Sequence, residues 1–516
     1  MLTAFLRRDI ILLTVDGHHR SHISRHQPVL QFTRGLVWVS TGAVGARLLT
    51  LVGSVLLARL LAPQDFGLLN MALIAINALQ IVLDLGLAQA LIAQREEVEQ
   101  AASTIFYTIC AFSLSLALVL VLSAPSIAGI LHQPAVAPIL QVLALNIVIG
   151  SLATVPVALL QKAQRWRAQA LVESLPSLVS TGVMVALALA RFGVWSIVYG
   201  HIARALTQAV AVWWLMPWRP SGGIRRRFVR QLFRFGRWIV LDRVFSFIFL
   251  NADNAYLARW QGAQVLGYYA LPYNWITLPV QYIVFQSNRV MFPLLSSLQE
   301  ADEQRAVFLR VSRLLSFLLL PVYLFWVFHA EVFVLGLFGD KWSPSVPVLQ
   351  WLAVYAIGRA LVSGPVGSFF WATRRPELAV YPIWAGLACV LAGFAVFGGS
   401  LDAVGIAQLF TGGMLVRVLV TLVELWRYYT FPLAEMLRAL LHGAVPAGIA
   451  SGLAYSLVLP LSLSAWQKLI LATSLHADGY LLLYGLLTQR QPLLLFRRDV
   501  WKSLLTVGAE QVEAQQ

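Results

Sequence analysis

The fold of this chain is decided by a ten-residue block, Ala58-Arg59-Leu60-Leu61-Ala62-Pro63-Gln64-Asp65-Phe66-Gly67, and by its counterpart 200 residues later, Ala258-Arg259-Trp260-Gln261-Gly262-Ala263-Gln264-Val265-Leu266-Gly267. Four of the ten positions are identical, and the same offset pairs Arg34 with Arg234 and Trp38 with Trp238. Each block joins the first and second long apolar stretch of its half of the chain. The sequence therefore predicts two related halves.

The composition places the chain among membrane proteins. Of its 516 residues 59% are hydrophobic and 12% are charged, with a mean hydropathy of +0.74, whereas soluble proteins carry about 25% charged residues. The net charge of +15 lies mostly in short connections between apolar runs, where membrane topology requires it. No nucleic-acid partner is expected. Cys110 and Cys389 lie within apolar runs, so we interpret them as packing residues.

Windows of about 20 apolar residues predict fourteen membrane spans. They cover residues 36–58, 67–92, 101–124, 136–160, 173–191, 193–216, 236–258, 266–294, 311–337, 346–370, 378–398, 403–426, 438–459 and 467–487. Six spans in each half mean that both halves enter the membrane from the same side. The repeat is therefore predicted to be parallel, about an axis normal to the membrane.

The distribution of basic residues predicts the orientation. If the N-terminus is cytoplasmic, 26 Lys and Arg residues fall in cytoplasmic segments, and five fall outside: Arg59, Arg191, Arg259, Lys341 and Lys468. Since cytoplasmic loops carry the excess of Lys and Arg, we expect both termini in the cytoplasm of a bacterial inner-membrane protein.

These features divide the chain into six parts. They are a cytoplasmic N-terminal extension (1–35), a first six-helix lobe (36–216), a basic cytoplasmic linker (217–235), a second six-helix lobe (236–427), two further spans (428–487) and a cytoplasmic tail (488–516). The linker is explained by topology and attraction to anionic lipid; a specific protein partner is the alternative.

Arginines lie near the centres of four predicted spans: Arg47, Arg204, Arg359 and Arg417. A cation at that depth costs roughly 2.5–3.5 kcal/mol on insertion scales, so it normally faces a cavity or a partner. The pattern predicts a polar cavity between the lobes that admits an anionic substrate. The alternative is that each arginine pairs with a nearby acid, for example Glu424 beside Arg417, and supports packing only.

Uncharged polar residues recur on the inward faces of the predicted helices, where helical spacing aligns them. They are Ser40 and Thr50 on the first span, Asn70 and Asn77 on the second, and Asn274, Gln281 and Asn288 on the eighth. Hydrogen bonding between helices would explain a single asparagine. Matching stripes in equivalent helices favour the lining of a wet cavity.

Two acids lie within predicted spans, Asp84 and Asp253, and Asp253 has the amides Asn251 and Asn254 beside it. An acid at this depth could take up H⁺ or Na⁺ in a coupled transporter. The competing interpretation is a structural pair with a neighbouring group. No cofactor beyond such an ion is expected.

The sequence does not indicate an enzyme. It has no phosphate-binding G-x-x-x-x-G-K-[ST] loop, no Cys/His metal set, and no predicted outside loop longer than about a dozen residues to hold acid–base groups over a substrate. We therefore expect neither catalytic nor metal-ligating residues.

Several segments resemble one known family. The first block and Asp84-Leu85-Gly86-Leu87 resemble the opening of Wzx-like polysaccharide flippases of the multidrug/oligosaccharidyl-lipid/polysaccharide exporter superfamily. The second half is similar to the same family in three places: Leu266-Gly267-Tyr268-Tyr269-Ala270-Leu271-Pro272-Tyr273-Asn274, Arg289-Val290-Met291-Phe292-Pro293 and Phe338-Gly339-Asp340-Lys341-Trp342. The likeness covers roughly residues 34–430.

The resemblance implies an all-α membrane protein with a V-shaped pair of six-helix bundles and two extra C-terminal helices. It further implies export of undecaprenyl-diphosphate-linked sugar repeat units for lipopolysaccharide, capsule or exopolysaccharide synthesis, by alternating access. Membrane lipid and other polysaccharide assembly proteins are the remaining expected partners. A multidrug or cation-coupled antiporter of the same superfamily is the alternative, but its cationic substrates call for an acidic cavity. A non-transporting scaffold would have no use for four buried arginines.

Overall fold

The computed structural model describes residues 49–83, 91, 97–223, 247, 251–298, 300–363, 365–429 and 431–487. Within these ranges every regular element is a helix, and helical residues occur in each of the fourteen predicted windows. Arg47, Ser40 and Asp84 lie outside the described residues. So do the N-terminal extension, most of the basic linker and the C-terminal tail.

The first lobe consists of six helices. They are α1 (Leu49–Leu60), α2 (Pro63–Leu83), α3 (Val98–Ile130), α4 (Val136–Lys162), α5 (Trp166–Leu189) and α6 (Val194–Leu215). Helix α4 packs on α2, α3 and α6, and α5 pairs with α6. Polar residues between α3 and α4 form a small internal link, in which Ser113 Oγ donates to Ser151 Oγ at 2.9 Å.

The second lobe repeats this order with more interruptions. Its helices are α7 (251–260), α8 (Gly262–Pro279), α9 (Phe285–Ser297), α10 (Ala301–Phe338), α11 (Ser345–Ser363), α12 (Pro365–Ala372), α13 (Tyr381–Phe397) and α14 (Ala403–Tyr429). The predicted eighth span contains α8, a π-helical turn at Val280–Val284 and α9. The tenth span comprises α11 and α12, so the spans of this lobe are not all single helices.

Three helices follow the second lobe: α15 (Leu433–Leu440), α16 (Ala444–Val458) and α17 (Ala465–Leu487). The last two pack on each other and on α10. Of the described helices, eight are individually long and apolar enough to cross a membrane, and α1 and α16 are shorter apolar helices. The predicted all-α, multi-pass architecture with two lobes and an extra C-terminal pair is confirmed.

The lobes meet at one end, formed by residues 58–67 and 258–267, which we call the closed end. Local sequence explains how α2 begins there: Pro63 opens the helix, and Asp65 Oδ2 accepts from the backbone N–H of Ala62 at 2.9 Å. Negative charge in a first helical turn also complements the helix dipole. Behind this end a cavity lies between the lobes.

Close approach at the closed end depends on two glycines. A Cβ on Gly67 would lie 1.6 Å from the carbonyl oxygen of Ala263, and one on Gly267 would lie 1.9 Å from that of Pro63. Only glycine permits such backbone contact. Helices α2 and α8 therefore pack across the lobe boundary with almost no side chain between them.

Candidate functional site

The closed end is locked by side chains that bind backbone carbonyls of the opposite lobe. Arg59 donates to the carbonyls of Leu337 and Gly336 at the end of α10. In return, Lys341 Nζ donates to the carbonyl of Arg59 at 2.7 Å and to that of Leu61. These charge-assisted hydrogen bonds tie each lobe to the main chain of the other.

Trp342 completes this contact from the second lobe. Its ring is fully buried, its Nε1 donates to the carbonyl of Ala58 at 2.8 Å, and its edge meets the ring of Phe66 with centroids 5.3 Å apart. A buried Trp contributes a large apolar area, and its hydrogen-bonded N–H fixes the orientation of the ring. The residue thus fills the space where the two lobes meet.

Arg259, the repeat counterpart of Arg59, makes the corresponding contact on the other side. Its Nη1 lies 2.7 Å from Nδ1 of His132, just beyond the end of α3. Arg59 reaches the end of α10, which is the ninth span, and Arg259 reaches the end of the third. The two arginines therefore bind equivalent places in opposite lobes, as the parallel repeat predicts.

A polar cavity begins immediately behind the closed end. Its first part, the closed-end compartment, has a volume of about 430 Å³ and is lined from both lobes. A second part of about 350 Å³, the open-end compartment, is lined by residues farther from the closed end on α1, α5, α6 and the π-turn. At 1.5 Å per residue, Tyr282 in its wall lies about 30 Å along the helix from Gly262. The cavity therefore extends along the helices away from the closed end.

Several predicted lining residues do face this cavity. Asn70, Asn77 and Asn274 line the closed-end compartment, and Thr50 lines both compartments. Asn70 also donates through Nδ2 to the carbonyl of Phe66 at 2.8 Å, which fixes its orientation. Gln281 is exposed beside Tyr282, and Asn288 is half-buried on α9; neither is among the residues that line the two compartments.

Sequence reasoning missed other residues of the wall. They are Ser177, Ser180, Thr181, Asn251, Asn254 and Tyr273. Helix α5 shows no strict polar stripe, so its three hydroxyl residues gave little signal. The two asparagines were associated with Asp253, although their side chains reach the cavity. Among the described residues that line the closed-end compartment none is acidic, and Arg204 is the cation.

Arg204 lies where the two compartments join. It is ten residues from the start of α6, or about 15 Å from the closed end, and it lines both compartments. The side chain is exposed to the cavity. Glu173 lies in the wall of the open-end compartment, where its Oε1 accepts from Gln169. An anionic group entering from the open end would therefore meet the Arg204 guanidinium before the neutral polar groups beyond it.

Arg359 and Arg417 lie together elsewhere, in the interior of the second lobe. Arg359 lies close to Tyr273 and Tyr355, and Arg417 is close enough to Tyr355 and Arg359 to interact electrostatically with both. Neither arginine lines the two compartments; Tyr273 does. The structure thus separates Arg204 from this pair and brings Arg359 to the cavity only through Tyr273.

The suggested Arg417–Glu424 pair is not formed. Arg417 Nε and Glu424 Oε2 are both buried, and neither atom has a hydrogen-bond partner within the described residues. The two residues are seven apart on α14, which separates them by about 10 Å along the axis. Local neutralisation by this acid therefore does not explain Arg417.

Asp253 is buried behind the wall of the same cavity. Its Oδ2 accepts from the hydroxyl of Tyr269 at 2.8 Å, and its Oδ1 accepts from the backbone N–H and the side-chain amide of Asn254 at 2.7 and 2.9 Å. Asn254 itself lines the closed-end compartment. The carboxylate is therefore satisfied by neutral donors, one residue away from the cavity.

Both the sequence and the fold are similar to those of known proteins. The family model described as "Polysaccharide biosynthesis protein" matches residues 56–347. The teichuronic acid biosynthesis protein TuaB of Bacillus subtilis (strain 168) is 25% identical over 370 residues, covering 71% of this chain and 76% of TuaB. The lipopolysaccharide biosynthesis protein WzxC of Escherichia coli (strain K12) is 25% identical over 401 residues, covering 76% and 79%.

A third relative is the succinoglycan biosynthesis transport protein ExoT of Rhizobium meliloti (strain 1021), 26% identical over 372 residues and covering 72% of this chain and 74% of ExoT. Among solved structures, the lipid II flippase MurJ in an inward closed conformation superposes with a TM-score of 0.69 at 12% identity, over 88% of this chain and 99% of MurJ. A multidrug resistance transporter of the MATE family gives 0.57 at 15% identity, over 76% and 95%. At these identities the two structures share the fold.

Proposed function

The chain belongs to the polysaccharide biosynthesis protein family, and from this premise we propose that it is a flippase for undecaprenyl-diphosphate-linked oligosaccharide repeat units. The observation that carries the proposal is the polar cavity between the lobes, with Arg204 at its centre and a closed end beyond it. The family is described by polysaccharide biosynthesis, and the three relatives are named for biosynthesis or transport of teichuronic acid, lipopolysaccharide and succinoglycan.

The chemistry of the cavity suits such a substrate. Guanidinium groups bind diphosphates through paired charge-assisted hydrogen bonds, and Arg204 is exposed where the open-end compartment joins the closed-end compartment. Beyond it, Asn70, Asn77 and Asn274 offer amide donors and acceptors that suit sugar hydroxyls. We infer that the diphosphate binds at Arg204 and the saccharide extends toward the closed end.

We infer transport by alternating access, and the arrangement of the two ends supports it. With both termini in the cytoplasm, the open end faces the cytoplasm, where a lipid-linked precursor would enter, and the closed end faces outward. Release would require separation of Arg59, Lys341 and Trp342 from their partners and formation of a new contact at the opposite end. The chain would act in the bacterial inner membrane, beside the polysaccharide assembly proteins that consume the product.

A cation antiporter is less well supported, since the described lining of the closed-end compartment contains Arg204 and no acid. A coupling ion is nevertheless compatible with a flippase. We propose Asp253 as its site, because this carboxylate is buried one residue from the cavity and, among the described residues, accepts hydrogen bonds from the neutral groups of Tyr269 and Asn254. Uptake of H⁺ or Na⁺ there would alter the wall through Asn254.

A reconstituted assay tests the function directly. Purified protein in liposomes is given a fluorescent undecaprenyl-diphosphate-linked oligosaccharide, and translocation is followed by loss of accessibility to an impermeant quencher. We expect Arg204→Lys to retain part of the rate and Arg204→Ala to lose about ten- to a hundredfold, corresponding to one charge-assisted hydrogen bond. Arg310→Ala, at an exposed helical arginine of α10 outside the cavity, is the matched control. Equal rates for Arg204→Ala and the wild type would contradict the proposal.

A further inference from the structure

The two lateral boundaries between the lobes differ in chemistry. One boundary, which we call the polar seam, has α1 and the π-turn beside the open-end compartment, with Thr50, Glu173, Arg204 and Gln208 in its wall. The other, which we call the apolar seam, lies between α2 of the first lobe and α7 and α13 of the second. In a parallel repeat these seams are equivalent by position, so their difference must come from side chains.

The apolar seam contains a groove of about 740 Å³. Its lining includes Ile74, Phe247, Ala252, Ala255 and Leu391, and Trp260 and Leu391 are exposed. The floor is an aromatic stack in which Tyr256 lies between Trp260 and Phe394, with ring centroids 5.0 Å apart on each side. The Tyr256 hydroxyl is occupied by the carbonyl of Gly398 and the N–H of Leu401, so the groove presents apolar surface.

Small residues on α7 create this groove. At the repeat offset, Ala252 and Ala255 correspond to Val52 and Val55 on α1, and the shared wall residue Ile74 corresponds to Asn274 on α8. Each substitution removes volume or polarity on one seam only.

The groove adjoins the polar cavity. Ile74 and Asn251 line both the groove and the closed-end compartment. From Asn251 to Trp260 the groove follows nine residues of α7, or about 14 Å, roughly half the hydrocarbon thickness of a bilayer, which is about 30 Å. An occupant of both spaces would have a polar head in the cavity and a long apolar chain against the helices.

We propose that the apolar groove binds the polyprenyl chain of the lipid-linked saccharide, next to its diphosphate, while the head occupies the polar cavity. The assignment rests on the proposed flippase function and adds the place where the lipid chain leaves the protein. The chain passes between Ile74 and Asn251 and lies on the Tyr256 stack. Bulk phospholipid is the competing occupant, and the test separates the two.

Photocrosslinking with purified full-length protein locates the chain. The probe is an undecaprenyl diphosphate with a photoreactive group in the isoprene units nearest the diphosphate, and adducts are mapped by peptide mass spectrometry. We expect adducts within 251–260 and 391–399, and competition by unlabelled undecaprenyl diphosphate but not by phosphatidylglycerol. Adducts in the C-terminal helices α16 and α17, or equal competition by phosphatidylglycerol, would overturn the assignment.

Substitutions that fill the groove give an independent measurement. We expect Ala255→Trp to weaken binding of undecaprenyl diphosphate by about tenfold or more and to leave binding of inorganic diphosphate unchanged. Val396→Trp is the control, since Val396 is 77% exposed on α13 and does not line the groove. The double variant Ala252→Val with Ala255→Val, which installs the residues of the first lobe, should show a smaller loss of the same kind and guards against misfolding of the tryptophan variant.

The two failures are distinguishable. If the wild type neither binds undecaprenyl diphosphate nor translocates the linked oligosaccharide, the proposed function itself is wrong. If the wild type does both and Ala255→Trp and the double valine variant bind the lipid as tightly as Val396→Trp, the function stands and the groove assignment is wrong.

Discussion

Gly67 and Gly267 each lie against the main chain of the opposite lobe, and they do so at the same position of the repeat. Gly67 meets the carbonyl of Ala263, and Gly267 meets that of Pro63. Since Pro63 and Ala263 are themselves equivalent positions, the two contacts are related by an approximate twofold rotation axis between α2 and α8. Residues that lie 200 positions apart in the sequence are thus related by this axis at the closed end.

Adding one methyl group at either glycine should prevent closure. Gly67→Ala or Gly267→Ala places a carbon within 2 Å of a backbone oxygen, a clash that no side-chain rotation relieves; overpacking of this kind costs about 1–3 kcal/mol or more. We expect the lobes to separate at this end. A cysteine at Ser54, in the wall of the closed-end compartment, should then react faster with an impermeant maleimide added from outside the cell.

Gly150→Ala is the control, because a Cβ there meets no atom within 4 Å. Labelling of Ser54→Cys should be unchanged in that background. Slow labelling in both the Gly67→Ala and the control backgrounds would show that the closed end tolerates the methyl group.

The orientation remains a prediction of the charge distribution, and reporter fusions test it. Fusions after Gln133 and after Ser343 should report an extracytoplasmic location, and a fusion at the C-terminus should report a cytoplasmic one. The physical reason is the excess of Lys and Arg on the cytoplasmic side. An inverted result at any of the three positions would refute the topology and reverse the direction of opening.

The separation of the arginines predicts different phenotypes. Arg204→Ala should reduce transport per protein molecule, whereas Arg417→Ala should mainly reduce the amount of protein in the membrane, since Arg417 packs inside the second lobe beside Tyr355. Membrane-normalised export and quantitative immunoblotting distinguish the two effects. A normal protein level with lost export in Arg417→Ala would instead place this residue in the transport mechanism.

Asp253→Asn tests the proposed coupling site. The amide keeps the shape and one acceptor but removes the negative charge that would bind H⁺ or Na⁺. We expect flipping in proteoliposomes to lose its dependence on the imposed ion gradient while binding of the lipid-linked substrate persists. Tyr269→Phe, which deletes one hydrogen bond to Asp253 and keeps its charge, should retain the gradient dependence. An unchanged gradient dependence in Asp253→Asn would assign the residue a structural role.

Periodicity and repeat offsets predicted the helices, the two lobes and much of the cavity wall. Asn70, Asn77 and Asn274 were predicted because polar residues at helical spacing must share a face, and their faces do meet. The same reasoning did not separate Arg204 from Arg359. Both lie at the centre of a span on a polar face, but spacing alone does not tell whether that face points between the lobes or into one of them.

The sequence also did not predict the contacts that side chains make with main-chain carbonyl groups. Lys341 and Trp342 were recognised only through family resemblance, and their partners are carbonyl groups, which every residue carries. No sequence pattern marks a carbonyl as an acceptor. Similarly, the apolar groove depends on Ala252 and Ala255, which are ordinary residues in a membrane helix until they are compared with Val52 and Val55.

Ile74 and Asn274 occupy equivalent positions of the two lobes but differ in polarity. Such a difference is possible because the two lobes belong to one polypeptide. In a homodimer of a single lobe, twofold symmetry would place identical residues on both sides, so one isoleucine facing lipid would require a second. A fused chain is free of that constraint. One of its sides can specialise for hydrocarbon and the other for water, and an amphiphile then has only one way to enter.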